Sequence, residues 1–214
     1  MKLQLFYAPQ TCATVPFITL TEAGADFSTI DVNSRTGDLK KPEFLKINPK
    51  HKVPVLVIDG EPLTENVAIQ IWIARQFPQA KLLTTDPKTE IKAISLMAWC
   101  ASGIHPHLTP NARPTNYCDL PGSEESVKRV ANVMLFEDFK IADELLAGRE
   151  WFFDHFTAVD AYFYWCFMRA ISFKLELSAF KNCHAHYQRM LGRASVQKLV
   201  EHQQKVMAAF ASAK

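Results

Sequence analysis

The spacing of apolar and polar positions changes character about a third of the way along the chain. Leu3-Gln4-Leu5-Phe6-Tyr7 and Phe27-Ser28-Thr29-Ile30-Asp31-Val32 follow the two-residue period of strands. Between them, Val15 to Gly24 has helical spacing and stops on a glycine, which tolerates the left-handed conformation that closes helices. After a further helix, strands at 53–58 and 62–64 flank Asp59-Gly60, and a helix near 66–76 follows. The order is βαβ followed by ββα, which places a crossover and a hairpin in one sheet.

Beyond residue 77 no strand pattern recurs. Pro78, Thr84, Thr85, Asp86 and Pro87 give the stretch after the fourth strand's helix the composition of a linker. The division read from the pattern is a first domain over 1–78, a linker over 79–87 and an all-helical domain over 88–214. Within the last, helical spacing covers about 88–103, 123–147, 157–174, 178–191 and 195–211, while the proline-rich stretch 104–122 reads as a loop or an irregular helix break. Thr157-Ala158-Val159-Asp160 has the spacing of a capping box, a folding signal rather than a site. Loss of the Asp160 cap is expected to cost roughly 1 kcal/mol or more. The aromatic cluster of Trp151-Phe152-Phe153 with Tyr162, Phe163, Tyr164, Trp165, Phe167 and Phe173 reads as the core of this domain, part of which could line a pocket for an apolar electrophile.

Composition narrows the function. At 214 residues the chain can bury a substantial core, and a net charge of +2 supplies no field that would recruit nucleic acid or membrane. The short runs Lys40-Lys41 and Lys50-His51-Lys52 read as solvated surface. Five cysteines without regular spacing argue for a reducing compartment rather than a disulfide framework. The start, Met1-Lys2-Leu3-Gln4-Leu5, lacks an apolar leader, and no apolar run is long enough to span a membrane, so a soluble cytoplasmic protein is expected. Cys183-His184-Ala185-His186 and His105-Pro106-His107 contain metal-ligating residue types without the paired spacing of a zinc site, and no metal is expected. No glycine-rich phosphate loop is present.

Candidate chemistry gathers at two places. Cys12 falls between a strand and a helix, where unpaired N–H groups and the helix dipole favour a thiolate; its thiol is therefore expected to titrate below a free cysteine. The opposing reading is a cysteine packed as a small apolar residue. Pro16 fits a first helical turn. The second place is Asn48-Pro49-Lys50-His51-Lys52-Val53-Pro54, followed after the hairpin by Leu63-Thr64-Glu65-Asn66. A cis Val53-Pro54 bond would turn the Val53 N–H and C=O outward, where an extended ligand could pair with them as an added strand. Glu65 and Asn66 at a helix start could hold a ligand's ammonium and carboxylate, or could simply cap the helix.

Tyr7-Ala8-Pro9-Gln10-Thr11-Cys12-Ala13, the Val53-Pro54 segment and Phe156-Thr157-Ala158-Val159-Asp160-Ala161-Tyr162 together resemble the glutathione S-transferase family, most of all its bacterial beta class. The resemblance runs over nearly the whole chain and is weakest over 104–125. It implies an α/β N-terminal thioredoxin-like domain (βαβαββα) plus an all-α C-terminal helical domain. It also implies glutathione as co-substrate, a small hydrophobic electrophile as partner, a homodimer, and conjugation of the glutathione thiolate in detoxification. By the same resemblance Cys12 contacts the glutathione sulfur and can form a mixed disulfide with it. Tyr7 and His105 stand at positions of possible catalytic contact, Tyr7 equally at home as a packed ring and His105-Pro106-His107 equally readable as a loop with surface histidines. Lys52, Val53, Pro54, Glu65 and Asn66 are the implied glutathione-binding residues. Three departures from the class pattern stand out: Ala13 for serine, Gln10 for glycine, and Ala98 near the point where an asparagine is common. They keep open a non-catalytic interaction protein of the same fold, while the Cys12 mixed disulfide keeps open a thiol transferase or glutathione-dependent reductase.

Overall fold

The structure, a computed structural model, describes residues 1–212. Its contacts group the chain into two compact units, one made of Met1–Thr85 with the segment from Leu191 onward, the other of Asp86–Met190.

The first unit is built on a sheet of order β2-β1-β3-β4, where β1 is Leu3–Tyr7, β2 Phe27–Asp31, β3 Val55–Ile58 and β4 Glu61–Thr64. β1 runs parallel to β2, with Leu5 opposite Thr29, and antiparallel to β3, with Leu5 opposite Leu56. The parallel pair needs a crossover, supplied by α1 (Thr14–Glu22); the antiparallel pair β3–β4 needs a tight turn, supplied by Asp59 and Gly60 at φ 49° and 98°. With α2 (Pro42–Ile47) and α3 (Asn66–Gln76) the order is βαβαββα, which joins the βαβ and ββα units read from the spacing into the thioredoxin-like arrangement that the resemblance implies. Successive side chains of a strand alternate faces. Phe6 therefore joins Phe44, Ala8, Val32 and Val55 on one side, and Tyr7 packs its ring 5.7 Å from Phe17 of α1 on the other.

The second unit is helical: α4 (Pro87–Trp99), α5 (His105–Ala112), α6 (Glu124–Leu145), α7 (Ala158–Ser172) and α8 (Lys181–Leu191). Asp86 caps α4 by accepting from the Thr89 N–H at 2.8 Å. The stretch read as a loop or helix break is in part helix, because a π-helical turn over Cys100–Ile104 carries α4 straight into α5 despite Pro106 and Pro110. A π turn absorbs one extra residue without ending the ladder, which a 3.6-residue pattern does not reveal. The core is aromatic: Phe152, Phe163 and Phe167 are buried as their clustering suggested, and Phe139 of α6, outside that cluster in the sequence, joins them in ring contact. The helix α9 (Ala194–Ser212), which the pattern grouped with the helices after residue 88, packs on α1 within the first unit. Arg193 and Ser195 hold it there by bonds to the Glu22 carboxylate.

The capping box at Thr157 and Asp160 is present, but Asp160 does more than close a helix. It is fully buried, and its two oxygens also accept from the Phe152 N–H at 3.1 Å, the Thr157 hydroxyl at 3.0 Å and His186 Nε2 at 3.1 Å. Removing it strands several buried donors at once, and an unmet buried donor costs far more than a cap on the surface. Asp160→Ala is therefore expected to cost about 3–5 kcal/mol rather than the roughly 1 kcal/mol of a lost cap. Urea unfolding of the variant measures this; a loss near the smaller value would show that water replaces the carboxylate.

Candidate functional site

The Cys12 segment is a turn held from several sides. Thr11 N–H bonds the Ala8 carbonyl at 3.3 Å, the Thr11 hydroxyl bonds the same carbonyl at 2.7 Å, and Thr14 and Val15 begin α1 by bonding Thr11 and Cys12 carbonyls at 3.1 Å. Gln10 adopts φ 62°, the left-handed region where the resembled class carries glycine, and its N–H donates to Gln203 Oε1 of α9 at 2.8 Å. A side chain in that region costs about 1 kcal/mol or more, so the fixed backbone bond explains how glutamine is tolerated there. Ala13 is fully buried, leaving no solvent-facing hydroxyl site at that position.

Two segments from elsewhere meet this turn. The Val53-Pro54 bond is cis, and the Val53 carbonyl accepts a long bond from Cys12 Sγ at 3.5 Å. Among the described residues the Val53 N–H has no hydrogen-bond partner. Lys52 is exposed, and its carbonyl is held by Asn48 Nδ2 at 2.8 Å. From α3, Asn66 Nδ2 donates to the Cys12 carbonyl at 3.0 Å; Gln70 Nε2 donates to Asn66 Oδ1 at 3.0 Å, and the Thr19 hydroxyl donates to Gln70 Oε1 at 2.7 Å. Asn66 and Gln70 are buried, so this chain of amides is a structural tie between α1 and α3.

Glu65 stands apart from that tie. It sits at φ 68°, ψ 117° just before α3, with its carboxylate 71% exposed and paired with Lys50, whose ammonium also donates to the Thr64 hydroxyl at 2.8 Å. No side chain caps α3, so its first N–H groups keep the donor capacity by which a helix start can hold an anion. A strained backbone at such a position marks a functional candidate.

The electrostatics of Cys12 overturn the expectation of a lowered thiol. Its sulfur is buried, 8% exposed, and burial pushes the thiol up to about 12; its own backbone N–H and the charge of Lys52 pull it down, while Glu65 pushes it up. A helix start favours a thiolate only if the sulfur is hydrated or paired with a cation, and here desolvation outweighs both.

Tyr7 and His105 are placed differently. The Tyr7 ring is fully buried between Phe17 and His202, and its hydroxyl donates to Gln203 Oε1 at 3.2 Å. His105, in the other unit, opens α5 half-buried with its ring edge-on to Trp165 at 4.5 Å. The structure thus brings together Cys12, Lys52, Val53, Pro54, Glu65 and Asn66, with Tyr7 beneath the turn. Among the other histidines, His107 Nδ1 lies 2.6 Å from Asp138 Oδ2, and Asp138 also accepts from Trp99 Nε1 at 3.1 Å. Sequence reasoning missed Gln203 and Gln70, because an isolated glutamine on a helix carries no motif. Asp138 on α6 was missed for the same reason.

Residues 1–75 match the family model described as glutathione S-transferase, N-terminal domain. The chain is similar to Glutathione S-transferase GstA of Escherichia coli O157:H7, 32% identical over 199 residues that cover 91% of this chain and 96% of that protein. Among solved structures it is similar to a bacterial beta class glutathione S-transferase of Sphingomonas chungbukensis, with TM-score 0.83 and 30% identity over 94% of this chain and 98% of that one. A sphingomonad glutathione S-transferase complexed with glutathione gives TM-score 0.81 at 27% identity, with the same two coverages.

In the ligand-free protein Cys12 is expected to alkylate slowly at pH 7–8, and more slowly than Cys118, whose thiol is lowered by bonds from Ser123 and the Leu120 backbone. Because the folded Cys12 thiol is raised, its contribution to stability is complete below the ordinary value of 9.0 and is lost as pH climbs from there toward about 12. Peptide mapping after timed alkylation checks the order; Cys12 reacting first at neutral pH would show an ionised, accessible sulfur.

Proposed function

The chain belongs to the glutathione S-transferase family, and from that premise we propose that it conjugates the glutathione thiolate to small hydrophobic electrophiles at the Cys12 turn. The observation that carries the reading is the convergence on one turn of three ligand-facing features: the Cys12 thiol, the Val53 backbone and the uncapped start of α3. The γ-glutamyl carboxylate meets the N–H groups of Asn66 and its successors, and the γ-glutamyl ammonium replaces Lys50 at Glu65. The cysteinyl backbone pairs with Val53 as an added strand, Pro54 shapes that edge, and Lys52 faces the ligand as a cation. Asn66 contributes its backbone, since its side chain is committed to Cys12.

In conjugation the glutathione S–H loses its proton to solvent, its sulfur forms a bond to the electrophilic carbon, and the leaving group or π bond takes the displaced electron pair. A Cys12 thiol that stays protonated at neutral pH serves this step as an S–H donor toward the glutathione thiolate. That protonation is also why we place conjugation ahead of a thiol transferase acting through a Cys12 mixed disulfide, whose first step needs the Cys12 thiolate. Tyr7, with its hydroxyl turned to Gln203, supports the turn; His105 is assigned to the electrophile side in the helical unit. We further propose that residues 1–78 bind glutathione, that 79–87 link this domain to the helices of 88–214, and that the enzyme is a cytoplasmic homodimer active in detoxification. Exposed Ile91 on α4 and Val130, Val133, Met134 and Ile141 on α6 are the apolar side chains that a second copy would cover. Sedimentation should give twice the chain mass of 24.3 kDa, and a monomer at micromolar concentration would contradict it.

The purified protein should conjugate glutathione to a general electrophile above the uncatalysed rate. Glu65→Ala should weaken glutathione binding about tenfold or more by calorimetry, the worth of one charge-assisted bond. Cys12→Ser should keep conjugation within about tenfold, because serine retains a donor, while abolishing any glutathione adduct. Absence of turnover despite tight glutathione binding would support the non-catalytic alternative, and a disulfide-reducing activity that exceeds conjugation and dies with Cys12→Ser would support the thiol transferase.

A further inference from the structure

Gln203 lies on α9, far along the chain from the Cys12 turn, yet one atom of it meets that turn at two points. Its Oε1 accepts from the Tyr7 hydroxyl at 3.2 Å, at the end of β1, and from the Gln10 N–H at 2.8 Å, two residues before Cys12. We infer that Gln203 is a positioning residue for the sulfur chemistry: its side-chain oxygen fixes the turn that carries Cys12 and assigns the Tyr7 proton away from the sulfur. This rests on the reading of the Cys12 turn as the glutathione sulfur site.

The helix that delivers this oxygen is itself anchored. His202, next in sequence, bonds Asp31 at 2.9 Å and stacks on Phe17 at 5.2 Å between ring centres, and the Arg193 guanidinium grips Glu22 with two bonds of 2.8 and 2.7 Å. An acceptor on so fixed a scaffold can dictate the conformation of a flexible turn. Gln10 needs that dictation, since φ 62° is a conformation that side-chain-bearing residues adopt reluctantly. The remaining bonds of the turn, from Thr11 to Ala8 and from Thr14 to Thr11, set its local shape; Gln203 ties that shape to the rest of the unit. The Tyr7 hydroxyl has a single proton, and aiming it at Gln203 leaves the sulfur to be served by Cys12.

The requirement is for an acceptor, which separates this role from packing. Glutamate accepts both bonds; methionine fills nearly the same volume and keeps the helix but offers only a weak sulfur acceptor. Gln203→Met, Gln203→Glu and, as a second loss variant, Gln203→Ala should be compared with the full-length parent by timed alkylation and steady-state kinetics. Gln203→Met and Gln203→Ala should alkylate Cys12 about tenfold faster, lower kcat about tenfold and leave the KM for glutathione within about threefold, because Glu65 and α3 still hold the γ-glutamyl end. Cys100, Cys166 and Cys183, buried in the helical unit, should keep their rates, and Gln203→Glu should match the parent throughout. The inference is overturned if the two loss variants leave Cys12 and kcat unchanged, if every buried cysteine accelerates together, or if Gln203→Glu behaves like Gln203→Met. Should the parent show no turnover, the proposed function fails, and the Cys12 alkylation comparison still decides the role of Gln203.

Discussion

The bond from Asn66 to the Cys12 carbonyl is the constraint on which the rest of the site depends. It joins the start of α3 to the start of α1, and it is backed by Gln70 and Thr19 in a line of buried donors and acceptors. Such a line is expensive to break, because each member would leave a neighbour unmet out of contact with water. Two helix starts are thereby held in register beside the Val53 edge. The amide of Asn66 does this from inside the protein, while Glu65, one residue earlier, turns outward from a strained backbone. Adjacent residues at a helix entry thus divide the work, Asn66 fixing the scaffold and Glu65 free to meet glutathione in the proposed function.

The same packing that builds the site sets the chemistry of its thiol. A cysteine drawn into the junction of α1 and the Val53 loop gives up hydration, and the nearby Lys52 charge is exposed and too well screened to compensate. The result is a protonated sulfur with a directional S–H at neutral pH. In the proposed function that favours a donor role over attack by Cys12 itself, and the degree of protonation follows the depth at which the turn is held. Gln10, Gln203 and the anchoring of α9 on Glu22 and Asp31 set that depth.

Much of this was legible in the residues. The apolar pattern placed all four strands, Asp59-Gly60 marked the hairpin, and Val53-Pro54 with Glu65-Asn66 marked the proposed glutathione edge. What escaped was the part that depends on distant partners. Local pattern shows that Cys12 precedes a helix but not that Val53 and Asn66 close over it, so the sign of its titration shift was misread. Asp160 showed its capping role and hid its bonds to Phe152 and His186, which come from 8 and 26 residues away. The π turn at Cys100–Ile104 carries no mark, since one extra residue in a helix leaves composition unchanged. Gln203 lies in a polar run, Glu201-His202-Gln203-Gln204, that reads as solvated helix surface until α9 is seen against β1.

A crystal structure of the glutathione complex tests the central claim most directly, because it shows at once where the ligand lies and what Asn66 does. The account predicts the glutathione sulfur beside Cys12, the cysteinyl backbone paired with Val53, the γ-glutamyl group between Glu65 and the start of α3, and the Asn66 amide still bonded to the Cys12 carbonyl. Glutathione seated away from this turn, or an Asn66 amide swung out to the ligand with the Cys12 carbonyl released, would contradict it.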